Sequence, residues 1–211
     1  MAGRVEFRGP AGRLEGILDE PGRPPRAAAV FAPPLPTYGG TMHTKAVFQG
    51  AKALARIGVA TLRFNFRGVG ASEGAWSGGP GERDDFRAAL DFVAARHPSL
   101  PLWAAGFSFG AWVALETGAA DDRVRVLIGI APPVGNPAYD FSGTLASSKP
   151  KFFIQGERDE IAPLADLRRF YARLAEPKEL VVIDGADHLF DGRTREVGDA
   201  LEELLEDFDS R

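Results

Sequence analysis

The chain has 211 residues, of which 45% are hydrophobic and 26% are charged, and its formal net charge is −4. These values are ordinary for a globular protein, and we expect residues 1–211 to form one domain around one core. The absence of cysteine excludes disulfides, thiolate metal sites and cysteine nucleophiles. With a weakly acidic charge and no basic cluster, the chain has no electrostatic basis for binding nucleic acid or an anionic membrane surface.

The first predicted element is an antiparallel hairpin, because residues 4–8 and 13–19 alternate in polarity around a Gly-Pro-Ala-Gly turn. A continuous apolar run at 27–32 is typical of a strand that is buried on both faces. After the loop at 33–40, apolar residues recur at helical spacing from Val47 to Ile57.

The rest of the chain repeats the order strand then helix. The predicted elements are strand 59–66, helix 82–97, strand 102–105, a helix after 110, strand 124–130, strand 151–155, helix 163–174, strand 180–183 and helix 197–208, with no clear period at 134–148. This alternation favours an α/β fold with a mostly parallel, doubly wound sheet and helices on both faces.

One pentapeptide stands between a predicted strand and a predicted helix. Gly106-Phe107-Ser108-Phe109-Gly110 has the G-x-S-x-G pattern of a nucleophile elbow, a turn so sharp that its serine is strained. In such a turn, side chains two residues before and two residues after the serine would collide, which accounts for glycine at both positions. Glycine is frequent in this chain, so the pentapeptide alone is a hypothesis that needs a histidine and an acid.

The chain has three histidines, which can be judged one by one. His97 precedes a proline at a predicted helix end, where it would cap the helix and face solvent. His43 follows the Gly39-Gly40 loop and could line a site, but a structural place near the start of a helix fits it as well. His188 follows the last predicted strand, where α/β sheets assemble their sites, so we expect it to be the catalytic base.

Asp159 is our candidate for the acid that orients the histidine, because it comes directly after the strand at 151–155. The alternatives are Glu157, Glu160 and Asp187, of which Asp187 is disfavoured by its adjacency to His188. Asp184 and Asp191 fit turn positions better. The resulting order is serine, acid, histidine, which is the order found in α/β-hydrolases.

The motifs together resemble a known family. The chain is similar to small bacterial α/β-hydrolases that carry Gly-Gly-Thr-Met-His, Arg-Phe-Asn-Phe-Arg-Gly-Val-Gly and Ala-Gly-Phe-Ser-Phe-Gly-Ala, here residues 39–43, 63–70 and 105–111. The resemblance implies a hydrolase or esterase of the α/β-hydrolase fold, with Ser108 as nucleophile, Asp159 as acid and His188 as base. It implies no particular substrate.

The resemblance also implies an oxyanion hole of two backbone amides, from Leu35 and from Phe109, the residue after the nucleophile. The sequence departs from the group here, since Pro33-Pro34 stands where the group usually has His-Pro. Proline has no N–H, so neither of these two residues can donate.

In α/β-hydrolases a cap that sets specificity usually follows the sixth strand. The corresponding interval here is residues 132–150, which is too short for a cap domain, so we expect an open site. Tyr38, Tyr139 and Phe141 are candidates for an apolar wall. Trp76 and Trp112 could contribute, although aromatics beside an elbow more often belong to the core.

The function predicted from the sequence is hydrolysis of carboxylic esters, preferably short-chain ones, with a small-molecule ester as partner and no cofactor. A thioesterase, lactonase or peptidase with the same triad is the alternative, and a non-catalytic binding protein of this fold is a more distant one. The glycines at 68–74 have the wrong spacing for a dinucleotide fingerprint, and scattered histidines offer no metal ligand set.

Location and assembly are predicted from weaker signals. The N-terminus lacks the apolar stretch of a signal peptide, and no run approaches the roughly 18 apolar residues of a membrane span. We therefore expect a cytoplasmic protein without a membrane partner. The edge strand of the opening hairpin would allow homodimerisation.

Overall fold

One sheet of eight strands runs through residues 2–208, the part of the chain that the computed structural model describes. The strands are β1 (Ala2–Gly9), β2 (Gly12–Asp19), β3 (Ala27–Ala32), β4 (Val59–Phe64), β5 (Leu102–Phe107), β6 (Val124–Ile130), β7 (Lys151–Gly156) and β8 (Lys178–Ile183). Their order across the sheet is β1-β2-β4-β3-β5-β6-β7-β8. The pairs β1–β2 and β2–β4 are antiparallel and all others are parallel, which confirms the predicted sheet and hairpin.

Helices cover both faces of this sheet, as predicted. They are α1 (Lys45–Arg56), α2 (Pro80–Arg96), α3 (Phe109–Ala120), α4 (Ser142–Ala146), α5 (Leu164–Tyr171) and α6 (Thr194–Leu205), with a 3₁₀ turn at Pro36–Tyr38. Apolar side chains of α1 and α6 form one core cluster with one sheet face. Those of α2, α3 and α5 form a second cluster with the other face. None of the helices within residues 2–208 has the length and apolar character that crossing a membrane requires.

Several element boundaries differ from those predicted. Strand β8 begins at Lys178 rather than at residue 180. It is an edge strand, so its first two residues, Lys178 and Glu179, can be charged and remain partly or fully exposed. Helix α6 begins and ends earlier than predicted, and Phe208 packs on Phe152 from outside the helix, with ring centroids 5.1 Å apart. The predicted bounds of these two elements followed their apolar residues, so the polar first turn of α6 and the charged start of β8 were left out.

The glycine-rich segment after β4 forms a turn against the hairpin. The amide of Ala71 donates to the Glu15 carboxylate over 2.7 Å, and the amide of Gly68 donates to the Glu73 carbonyl over 3.1 Å. The segment thus packs against β2, and the next helix, α2, begins only at Pro80.

Parallel strands bring the predicted site residues to one edge of the sheet. Strands β3, β5, β7 and β8 run in the same direction, so their carboxyl ends meet at that edge. The loop at 33–44 follows β3, Ser108 follows β5, Asp159 follows β7 and His188 follows β8.

Candidate active site

Ser108 lies alone between the end of β5 and the start of α3. Its φ is 55° and its ψ is −122°, a conformation that L-residues rarely adopt and that costs about 1–3 kcal/mol. The amide of Ser108 donates to the Ile130 carbonyl of β6 over 2.8 Å, which holds the strained residue in place. The hydroxyl group is thereby presented at the sheet edge on a rigid turn.

The two glycines of the elbow are required by close backbone approach, as the motif predicts. A Cβ at Gly106 would lie 2.0 Å from the Gly110 carbonyl oxygen. A Cβ at Gly110 would lie 2.3 Å from the Pro33 carbonyl oxygen and 2.5 Å from that of Ala32. The second contact means that the nucleophile's helix rests directly on the start of the loop that carries Leu35.

His188 reaches Ser108 from the loop after β8. Its Nε2 is 2.8 Å from the Ser108 Oγ, and its imidazole packs on the Phe107 ring with centroids 5.4 Å apart. The residue is 8% exposed, so little water competes for its ring nitrogens. The other two histidines lie elsewhere, and His43 is exposed. His97, at the end of α2, was expected to face solvent, but it is partly buried and its Nε2 lies 3.4 Å from the Glu20 Oε1.

Asp159 lies on the far side of the imidazole. Its Oδ2 is 2.7 Å from the His188 Nδ1, and its Oδ1 accepts from the amides of Ile161 and Ala162 over 2.9 and 2.7 Å. The carboxylate is fully buried, so these donors replace the water that it would otherwise bind. A carboxylate can only accept, so Nδ1 carries the proton and the neutral ring offers the Nε2 lone pair to the Ser108 hydroxyl.

The three alternative acids do not contact His188. The Glu157 carboxylate accepts from the Gly185 amide over 2.8 Å, the Asp187 carboxylate accepts from the Asp191 amide over 3.0 Å, and Glu160 is exposed. Of the candidates from the sequence, the structure therefore places only Asp159 against the imidazole.

Gln155 is a member of this site that the sequence reasoning missed. Its Nε2 donates to the Asp159 Oδ2 over 2.8 Å and to the Ala162 carbonyl, and the residue is fully buried. The available signal was a polar amide at the end of an otherwise apolar strand, four residues before the acid. Gln155 fixes the direction of the carboxylate independently of His188.

The two amides expected at the oxyanion hole lie on different elements. Phe109 is the first residue of α3, so its N–H has no partner one turn earlier in the helix and lies at the positive end of the helix dipole. Leu35 precedes the 3₁₀ turn, and its carbonyl accepts from the amides of Tyr38 and Gly40. Within residues 2–208 the Leu35 amide donates to no backbone or side-chain acceptor, so it is available to a bound oxyanion.

Some of the aromatic residues near the elbow retain exposed surface, and others are buried in the core. Trp76 and Tyr139 pack on Phe109 with ring centroids 5.3 and 5.9 Å away, and both retain exposed surface. Burial raises the pKa of Tyr139 above its ordinary value. Phe141, by contrast, is 5% exposed and packs on the core, so its predicted place in the wall is wrong. Tyr38 is 89% exposed.

The interval between β6 and β7 contains the short helix α4, which the sequence did not predict. Glu116 of α3 accepts from the Thr144 amide over 2.7 Å, from the Thr144 hydroxyl over 2.6 Å and from the Gly143 amide over 3.1 Å. The Trp112 indole N–H, also on α3, donates to the Asp140 carbonyl over 2.9 Å. The segment at 140–146 is thus tied to the nucleophile's helix.

Metal ligation has no support in the described residues. Within 2–208 there is no group of three His, Cys, Asp or Glu side chains that could hold a metal ion.

Comparisons with known proteins agree with this fold. The profile of the family described as serine aminopeptidase, S33 matches residues 35–149. An uncharacterized protein of Rickettsia prowazekii is 35% identical over 96% of this chain and 88% of its own length. An α/β serine hydrolase homologue from Coxiella burnetii is 36% identical with a TM-score of 0.90, over 96% of this chain and 97% of that one.

A third relative bears on the cap. A protein of Xanthomonas campestris, described as an α/β serine hydrolase without lid, is 37% identical with a TM-score of 0.88, over 96% of this chain and 92% of that one. The eight-stranded sheet, its antiparallel hairpin and the short interval before β7 agree with that description. The chain therefore belongs to the serine aminopeptidase S33 family of hydrolases, among its α/β-hydrolase members without a lid.

Proposed function

We propose that the chain is a carboxylesterase that cleaves short-chain esters through Ser108, His188 and Asp159. The observation that supports this most is the unbroken line of hydrogen bonds from the acid to the nucleophile. The Asp159 Oδ2 lies 2.7 Å from one imidazole nitrogen, and the Ser108 Oγ lies 2.8 Å from the other. A nucleophile, a base and an orienting acid are what acyl transfer requires.

Acylation begins when the Ser108 Oγ attacks the ester carbonyl carbon. His188 takes the hydroxyl proton at Nε2, and Asp159 stabilises the imidazolium that forms. The carbonyl oxygen becomes an oxyanion and is bound by the amides of Leu35 and Phe109. Such donors are worth most in the transition state, because that is where the negative charge develops.

Deacylation repeats the sequence with water. The tetrahedral intermediate collapses, the alcohol leaves with the proton from His188, and Ser108 remains acylated. A water molecule then gives its proton to His188 and attacks the acyl carbon. As this second intermediate collapses, the bond between the acyl carbon and the Ser108 Oγ breaks, His188 returns the proton to Oγ, and the carboxylic acid is released. No cofactor takes part in either step.

The open mouth argues for small acyl groups. Ile161 and Leu189, each close in sequence to a triad residue, are 69% and 53% exposed, and Tyr38 is more exposed still. Burial of a methylene group contributes about 0.8 kcal/mol, but only when a wall excludes water from it. A short acyl chain can contact Trp76 and Tyr139, whereas a long one extends into solvent and gains nothing further.

The experiment is a series of nitrophenyl esters from acetyl to palmitoyl. We expect kcat/KM to fall as the acyl chain lengthens, and a flat or rising series would contradict the proposed preference. Ser108→Ala serves as the control and should lower kcat by several orders of magnitude while the protein stays folded. Retained esterase activity in that variant would remove Ser108 from the mechanism.

A thioester, lactone or peptide could be cleaved by the same triad, and the family's description makes an aminopeptidase substrate the first alternative to test. A panel with an ester, a thioester, a lactone and an aminoacyl anilide separates these reactions. Stoichiometric labelling of Ser108 by a fluorophosphonate separates all of them from a binding protein of the same fold, which would not react.

A further inference from the structure

Two sequence motifs that take no part in the triad meet at the backbone of Met42. The Asn65 Oδ1 accepts from the Met42 amide over 2.8 Å, and the Arg63 Nη1 donates to the Met42 carbonyl over 3.1 Å. All three residues are at least 96% buried. Residues 63 and 65 are two apart on an extended chain, so their side chains lie on the same side and hold both polar groups of one residue.

The side chains of Arg63 and Asn65 are themselves held by hydrogen bonds to carboxylates. The Arg63 Nε donates to the Asp19 Oδ2 over 2.9 Å, and the other oxygen of Asp19 accepts from Lys52 over 2.6 Å. The Asn65 Nδ2 donates to the Glu15 Oε1 over 2.7 Å. With its amide nitrogen directed at a carboxylate, Asn65 has its oxygen directed at Met42, and a flipped amide would leave both contacts unmade.

Gly40, two residues before Met42, connects this part of the backbone to Leu35. The Gly40 amide donates to the Leu35 carbonyl over 3.1 Å, and a Cβ at Gly40 would lie only 2.1 Å from the Pro34 carbonyl oxygen. The backbone two residues before Met42 therefore rests directly against Pro34 and Leu35. These contacts hold the loop between Pro34 and Met42.

We infer that Asn65, with Arg63 beside it, is a positioning residue that holds the Leu35 amide at the oxyanion hole. The inference rests on the proposed function, in which that amide binds the oxyanion. The oxyanion exists only from the transition state onward, so loss of the positioning contact lowers kcat and leaves KM almost unchanged.

The test compares Asn65→Ala with Ser72→Ala. Ser72 is a matched control because it is 6% exposed and its Oγ donates to the Asn65 carbonyl over 2.8 Å and accepts from the Glu15 amide over 3.1 Å. It belongs to the same junction but does not contact Met42. For each variant we would measure kcat and KM with nitrophenyl acetate, Tm, and hydrogen exchange of residues 33–44 in the intact protein.

We expect Asn65→Ala to lower kcat about 10- to 100-fold, the range for a donor displaced by up to about 1 Å, with faster exchange of residues 33–44. Ser72→Ala should lower Tm and leave kcat within about twofold of the wild type, since it disturbs no oxyanion donor. Asn65→Asp keeps an acceptor for the Met42 amide, so it should keep most of the wild-type kcat. Its Tm should be lower, because the new carboxylate lies beside that of Glu15.

If Asn65→Ala does not fold, Arg63→Lys provides the same comparison, because lysine keeps an ion pair with Asp19 but lacks the guanidinium fork that also reaches Met42. Equal losses of kcat in the Asn65 or Arg63 variant and in Ser72→Ala would overturn the positioning role and leave the proposed function intact. A wild-type protein that neither hydrolyses esters nor is labelled at Ser108 would overturn both.

Discussion

Gly110 lies where α3 contacts the start of the loop that carries Leu35, and Gly110→Ala tests whether that contact sets the proposed catalytic geometry. The added Cβ would lie 2.3 Å from the Pro33 carbonyl oxygen and 2.5 Å from that of Ala32. A close carbon–oxygen contact is about 3.3 Å, so the two backbones must separate by about 1 Å. Both oxygens belong to the main chain, so no side chain can turn aside to relieve the clash.

A displacement of about 1 Å at a reacting centre can cost about 100-fold in rate, and we expect a loss of that size in kcat for Gly110→Ala. The overpacking should also lower the free energy of unfolding by about 1–3 kcal/mol. The assay is the kcat for nitrophenyl acetate under conditions where urea titration shows the variant to be folded.

Gly118→Ala is the control from the same helix. Its Cβ would lie 2.6 Å from the Ala104 Cβ and 2.8 Å from the Leu127 Cδ2, so it meets a similar clash deep in the core and away from the mouth. We expect a comparable loss of stability with kcat unchanged within about twofold, since no oxyanion donor moves. Full activity in Gly110→Ala, or the same loss of kcat in both variants, would refute the reasoning.

Three further predictions concern single side chains. Ser108→Gly should abolish esterase activity yet raise the free energy of unfolding by about 1 kcal/mol, because glycine adopts a φ of 55° without strain; an unchanged or lower urea midpoint would contradict this. Asp159→Asn should lower kcat about 10⁴-fold with little change in KM, because the amide can hold the imidazole of His188 in the wrong tautomer. A hydrogen bond from Arg123 lowers the pKa of Asp121 in the folded protein below its ordinary value of 3.8. The ion pair therefore stabilises the fold fully above pH 3.8, and this stabilisation is lost as the pH falls through the lowered pKa of the folded state. The Tm deficit of Asp121→Asn should accordingly be largest near neutral pH and shrink in strong acid, and a pH-independent deficit would speak against the ion pair as its source.

Local patterns in the sequence were sufficient for much of the fold. Apolar periodicity distinguished the buried strands from the amphipathic helices, and the order of elements predicted the parallel sheet with its opening hairpin. The segment around α4 escaped because it is held by the distant Glu116 and not by any period of its own. Phe141 was misplaced for a similar reason, since its burial depends on Phe170, with the ring centroids 5.4 Å apart.

The proximity of the candidate site residues could be predicted where chain order and strand ends limit the choices. Ser108, Asp159 and His188 each follow a strand whose carboxyl end lies at the same edge, so the topology brings them together. The choice of Asp159 over Asp187 rested on a general argument about neighbouring side chains, which the distances now replace. Gln155 and Asn65 could not be assigned from the sequence, because their roles depend on the direction of a single amide group within the folded chain.

The attachment of α4 to α3 has a kinetic consequence. The segment at 140–146, which directly follows Tyr139, is bonded to Glu116 and Trp112, and these belong to the helix that begins immediately after Ser108. If the proposed function holds, we expect this segment and Ser108 to move together, so that substrate binding needs no separate opening step. We expect turnover to be governed by acylation or deacylation, so that kcat responds to the leaving group or to the acyl group and stays nearly independent of solvent viscosity.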